Sequence, residues 1–125
     1  MFAIETGYAW FHRFARYAFY IGLLAVTALS VIPIAAAPSM GVSDKIGHFL
    51  AYLALGTAGV LGFSGIKRPL AVVLAIIAFG FVMECIQLFV PGRMFSGLDM
   101  VANATGAVVG AGLSGVVGIF RYSRS

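Results

Sequence analysis

The chain has 125 residues, 62% of them hydrophobic and 10% charged. A soluble domain carries about 25% charged residues, so this chain is too poor in charge to wet a soluble surface and reads as a polytopic membrane protein. The net charge of +4 comes from bases scattered between apolar runs, which excludes a nucleic-acid footprint and makes the bases reporters of topology.

Taken in order, Met1 to Tyr17 mixes Glu5, Trp10, His12, Arg13 and Arg16 with aromatics. It reads as a short interfacial segment with Trp10 and Tyr17 at headgroup level and His12 as an interfacial side chain. A first span is predicted over about residues 14–34, long enough to cross a core of ~30 Å at 1.5 Å per residue. Ala35-Ala36-Ala37 after it resembles a signal-peptide cleavage site. The apolar run is longer than the ~7–15 residues of a signal h-region, so a retained span is expected. Pro33 and Pro38 end the span, and a short loop over 38–43 follows. Ser43 or Asp44 can cap a second span over about 45–63. Asp44, His48 and Tyr52 stand four apart and fall on one helical face. Gly62, Ser64 and Gly65 break the run, and Lys67-Arg68-Pro69 forms a basic turn. A third span over about 69–90 starts at Pro69 and stops at Pro91-Gly92. Ser96 opens a fourth over about 97–120, followed by a tail with Arg121 and Arg124. One domain over 1–125 is expected, an all-α bundle of four transmembrane helices. The lone cysteine, Cys85, excludes an intrachain disulfide.

With four spans, Arg13 and Arg16, Lys67 and Arg68, and Arg121 and Arg124 share one side, opposite Lys45 and Arg93. The excess of bases predicts both termini in the cytoplasm. His48 then lies ~6 Å below the outer boundary, Glu84 ~10 Å, Gln87 ~6 Å, Asp99 ~4–5 Å and Asn103 ~10 Å. Three helices thus bring polar groups to one depth, where a carboxylate facing hydrocarbon costs about 2.5–3.5 kcal/mol. Glu84 should therefore face the bundle or a wet cavity, with His48, Arg93 and Asn103 within reach.

In the fourth span Asp99, Asn103, Gly106 and Gly110 form one stripe, and Gly106 to Gly110 is a GxxxG pattern suited to close helix packing, within the chain or in a homodimer. Several of these residues also have a purely structural reading. Asp99, three after Ser96, has the spacing of a capping box, Gln87 and Asn103 could be packing glue, and Arg93 could touch lipid phosphate.

Two blocks carry a resemblance. D-K-I-G-H-F-L-A-Y-L-A-L-G, from Asp44 to Gly56, and the stretch from Glu84 to Gly110, E-C-I-Q-L-F-V-P-G-R-M-F-S-G-L-D-M-V-A-N-A-T-G-A-V-V-G, resemble the two motifs of the VanZ-like family in order and spacing. The resemblance implies a small protein of the bacterial plasma (inner) membrane, in a family whose name-giving member is associated with low-level teicoplanin resistance. It does not imply a mechanism.

Three functions fit the residues. In the first, the chain binds a membrane lipid or a lipid-linked envelope precursor through Asp44, Lys45, His48, Tyr52, Glu84, Gln87, Arg93, Ser96, Asp99 and Asn103, with Lys45 and Arg93 on phosphate. In the second, Glu84, His48 and Asp99 act as general acid and base of a hydrolase or transferase. Neither Ser96 nor Cys85 sits in a nucleophile motif. In the third, the polar residues glue a bundle that partners another membrane protein. No metal site is assigned, because His48, Glu84 and Asp99 lack an HExxH-type spacing, and no cofactor is specified.

Overall fold

Residues Phe2 to Val31 form one continuous helix, α1, in a computed structural model that describes residues 2–37, 43–63 and 69–122, with side chains over 8–37, 43–63 and 69–117. The loop expected over 38–43 apart from Ser43, the break at Ser64 and Gly65, the basic pair Lys67 and Arg68, and Arg124 lie outside the described residues, as does the side chain of Arg121. The helix starts well before the expected residue 14. No proline interrupts residues 2–13, so the segment expected at the interface continues the helix. Pro33 ends the helix, and Ile34–Ala36 make one 3-10 turn.

Three further helices follow: α2 (Asp44–Gly62), α3 (Pro69–Gln87) and α4 (Gly97–Tyr122). Ser43 is the N-cap of α2, its hydroxyl accepting from the amide of Ile46 at 3.4 Å. α3 stops at Gln87 rather than Val90. Leu88, Phe89 and Val90 donate instead to carbonyls three residues back. The type II turn Val90–Arg93 reverses the chain, with Pro91 second and Gly92 at φ +76° third. A side chain at Gly92 would also strike Ile34.

The helices alternate in direction. The start of α1 lies beside the end of α2, where His12 Nδ1 is 2.7 Å from the Leu61 carbonyl and Arg16 Nε donates to the Gly62 carbonyl at 3.2 Å. His12 was expected to be an interfacial side chain, and its position beside the end of α2 gives it a specific partner. His12 and Arg16 help cap α2, at the end where the helix dipole favours positive charge. At the opposite end, Ile34 donates its amide to the Pro91 carbonyl at 3.2 Å. The first and last helices thus run in opposite directions, with their outer termini at one end.

α2 is central, touching α1, α3 and α4 and packing most extensively on α4. The α2–α4 seam is made by small residues. A Cβ at Gly106 would meet the Phe49 carbonyl, one at Gly110 the Leu53 carbonyl, and one at Gly56 the Ala107 carbonyl. Thr57 Oγ1 donates to the Gly110 carbonyl at 3.0 Å. The glycine face that could have served a second copy is therefore filled by α2 of the same chain. Tyr52, Leu55, Val72, Val73, Ile76 and Ala107 form the core. Large apolar side chains such as Phe14, Leu24, Leu74, Phe81 and Val101 face outward, the inverse of a soluble surface.

Among the described residues, three helical segments are long and apolar enough to cross a membrane: Tyr8–Val31, Pro69–Gln87 and Gly97–Val117. α2, expected as a span of its own, has 19 residues but is not among them. Asp44, Lys45 and His48 lower its hydropathy, and it touches each of the other three helices.

Candidate functional site

The polar residues gather at one end of the bundle, where the start of α2, the end of α3 and the start of α4 meet. On α3 the buried positions Val72, Ile76, Gly80, Met83, Glu84 and Gln87 repeat at the helical period, so the face that builds the core also carries Glu84 and Gln87 inward. Glu84 is 1% exposed, Gln87 4%, Asp99 7% and Asn103 2%. Gly80 is needed in the same row, since a Cβ there would lie 3.0 Å from the ring of Tyr52 and 3.2 Å from Asn103 Nδ2.

Glu84 Oε2 accepts a hydrogen bond from the Ser96 amide at 3.0 Å. Ser96 Oγ accepts from the Asp99 amide at 3.2 Å. Half of the capping box expected at Ser96 and Asp99 is therefore present. The other half is taken over by Glu84, which leaves the Asp99 carboxylate to turn away from the cap. Asp99 Oδ2 lies 3.6 Å from His48 Nε2, and Lys45 Nζ is 3.9 Å from Asp99 Oδ1. Asp99 Oδ1 is buried without a hydrogen-bond partner. His48 Nδ1 is 2.9 Å from Asn103 Oδ1 and 4.0 Å from Glu84 Oε1. The amide oxygen accepts, so Nδ1 carries the proton. Glu84, His48, Asn103, Ser96, Asp99 and Lys45 thus form one continuous network across α2, α3, α4 and the turn before α4.

Arg93 does not join that network. Its Nε donates to the Ile32 carbonyl at 3.2 Å and its Nη2 to the Leu29 carbonyl at 2.9 Å. The expected partnership with Glu84 is replaced by a clamp on the last turn of α1, whose free carbonyls need donors. Of the five guanidinium N–H groups, two are spent this way and three remain.

Beside the network lies a cavity of about 640 Å³. Val26, Leu29, Leu50, Ala51 and Met83 give it apolar walls, while Asp44, His48, Tyr52, Glu84, Gln87, Arg93 and Asn103 supply polar groups. Of the ten residues expected to line a ligand site, these seven border the cavity. Lys45, Ser96 and Asp99 do not line it. Ser30 and Gly47 also border it and were not singled out from sequence. Ser30 follows the helical row of Val26 on α1, and a lone serine in an apolar span was the available signal. Gly47, lying inside the first motif, had none.

Asp44, His48 and Asp99 each place one donor atom within 4.8 Å of the other two. This trio differs from the His48, Glu84 and Asp99 set considered from sequence, with Asp44 in the place of Glu84.

A family model described as VanZ/LLP1 matches residues 4–118 of the chain. No curated protein and no solved structure matches it.

Proposed function

We propose that this chain, which belongs to the VanZ/LLP1 family, binds or handles a lipid or lipid-linked precursor of the bacterial cell envelope in the outer leaflet of the plasma membrane. The observation that carries this reading is the form of the cavity, apolar at Val26, Leu29, Leu50, Ala51 and Met83 and polar where Glu84, Gln87, His48 and Arg93 meet it. Ligand sites are mostly apolar with a few convergent polar groups, and a lipid is divided in the same way. The three donors left on Arg93 suit a phosphate, and Lys45, partly exposed behind the network, adds a second positive charge.

The orientation follows from charge. Arg13 and Arg16 mark one end of the bundle, and Lys45 and Arg93 the cavity end. With the basic residues at 67, 68, 121 and 124 assigned to the first end, both termini face the cytoplasm and the cavity faces outward. The same reading extends to the glycopeptide resistance that the resemblance implies, as an envelope phenotype.

The test is the lipid content of protein purified in mild detergent. An anionic envelope lipid or isoprenoid-linked phosphate should be retained at about one per chain after washing and be enriched over the bulk membrane extract. Retained lipid that merely mirrors the bulk composition would overturn the reading.

A further inference from the structure

The network leaves one electrostatic problem that its own hydrogen bonds do not solve. His48 Nδ1 donates to Asn103, which leaves Nε2 as the ring nitrogen turned toward the carboxylates. It faces Asp99 Oδ2 at 3.6 Å, and a carboxylate oxygen of Asp44 completes a trio of atoms within 4.8 Å of one another. At 3.6 Å the imidazole and the Asp99 carboxylate are too far apart for a direct hydrogen bond. Asp99 is 7% exposed and its other oxygen has no hydrogen-bond partner. Lys45 Nζ, 3.9 Å from that oxygen, is too far for a hydrogen bond.

We propose that Asp44, His48 and Asp99 bind a divalent transition-metal ion, with zinc as the reference case. Zinc takes imidazole nitrogen and carboxylate oxygen at about 2.0–2.2 Å, so two donors at a tetrahedral angle stand about 3.4 Å apart. The separation of 3.6 Å between His48 Nε2 and Asp99 Oδ2 matches that spacing and exceeds a direct hydrogen bond. Asp44, on the exposed first turn of α2, has the freedom to close the remaining distance. Asn103 has the role an outer partner plays at such sites, holding the other ring nitrogen so that the metal-facing one is unprotonated. Two carboxylates and a neutral imidazole offset the ion's charge, and only three protein donors converge, which leaves a position open. Asp44 and His48 also border the cavity, so that position is available to an oxygen ligand entering from it. This last point rests on the lipid reading of the cavity, whereas metal binding does not.

The experiment uses the full chain in detergent, stripped with chelator and titrated with zinc chloride by calorimetry. One zinc per chain is expected. His48→Gln and Asp99→Asn should each abolish saturable binding. Asn103→Ala should weaken it roughly tenfold, as loss of an outer partner does, and Asn103→Asp, which restores an acceptor for Nδ1, should recover it. Zinc should raise the melting temperature of the parent protein and leave that of His48→Gln unmoved. X-ray absorption on the zinc-loaded parent provides a readout that needs no variant to fold, and should show one imidazole with oxygen ligands. No saturable binding, undiminished binding in His48→Gln, or a shell containing sulfur from Cys85 would each overturn the assignment.

Discussion

Glu84 Oε2 accepts the amide of Ser96 at 3.0 Å across twelve residues of sequence. This bond ties α3 to the start of α4 and gives the first turn of that helix, whose free amides need acceptors, a carboxyl oxygen. It also diverts Asp99 from the capping box toward His48 and Lys45. One carboxylate therefore sets the position of the other.

Glu84→Gln keeps an acceptor for Ser96 and removes the charge. The lost charge–dipole contact is worth up to about 2 kcal/mol in a partly buried setting, while the relieved desolvation of a buried carboxylate is worth several. The variant should melt at or above the parent temperature. Glu84→Ala leaves the Ser96 amide unpaired and should cost about 1–3 kcal/mol. Thermal unfolding in detergent checks the order. Equal melting of Gln and Ala variants would mean that the bond contributes nothing to the fold.

The α2–α4 seam predicts a sharp contrast between glycines of one helix. At Gly106 a Cβ would press on the Phe49 carbonyl and sit 3.0 Å from the Leu53 amide, and at Gly110 it would lie 2.9 Å from the Thr57 amide. Backbone cannot rotate aside, so Gly106→Ala and Gly110→Ala should each destabilise by about 1–3 kcal/mol, and Gly106→Leu should prevent folding. At Gly112 a Cβ meets nothing within 4 Å. Gly112→Ala should be neutral or stabilising, by up to about 1 kcal/mol from helix propensity. Val109 is 40% exposed, and Val109→Leu should be mild. The comparison is read from melting temperatures of the purified variants.

Much of this was legible in the sequence because periodicity reports which side of a helix is inward. The buried stripe Asp99, Asn103, Gly106 and Gly110 and the inward Glu84 and Gln87 follow from spacing together with the cost of polarity in hydrocarbon. The partners of those groups did not follow. Arg93 clamps α1 and Glu84 takes the Ser96 amide, and both choices depend on how the turn at Pro91-Gly92 folds back on Ile34, a contact between distant segments. The early start of α1 was hidden for another reason: aromatic and basic residues that suit an interface also suit a helix. The α1 wall of the cavity was missed because an apolar span shows no polar signal apart from Ser30 and Thr27.

Orientation is tested by labelling. In a Cys85→Ser background, Met94→Cys, at a position 78% exposed next to Arg93, should react with an impermeant thiol reagent on intact spheroplasts. Pro69→Cys, exposed at the first residue of α3, should react only after the membrane is opened. The reverse pattern would place the cavity on the cytoplasmic side and sink the outer-leaflet reading.

Gly47 offers a way to close the cavity without touching its chemistry. It borders the cavity, and a Cβ there meets nothing within 4 Å. Gly47→Leu therefore adds a side chain that grows into open space rather than into a neighbouring helix. Leucine is also the better helix former by roughly 0.8–1.0 kcal/mol at most, so the melting temperature should hold or rise. If the cavity holds lipid, the phosphorus retained per chain should fall by more than half, and any envelope phenotype of the parent gene should be lost while the protein still accumulates in the membrane. A cavity that is only a packing defect makes the opposite prediction: filling it would leave lipid content and phenotype at the parent level. Glu84, His48 and Arg93 are unchanged in the variant, so a loss of lipid could not be attributed to a missing charge. Measuring phosphorus, melting temperature and phenotype on the same preparations separates a ligand site from a scaffold.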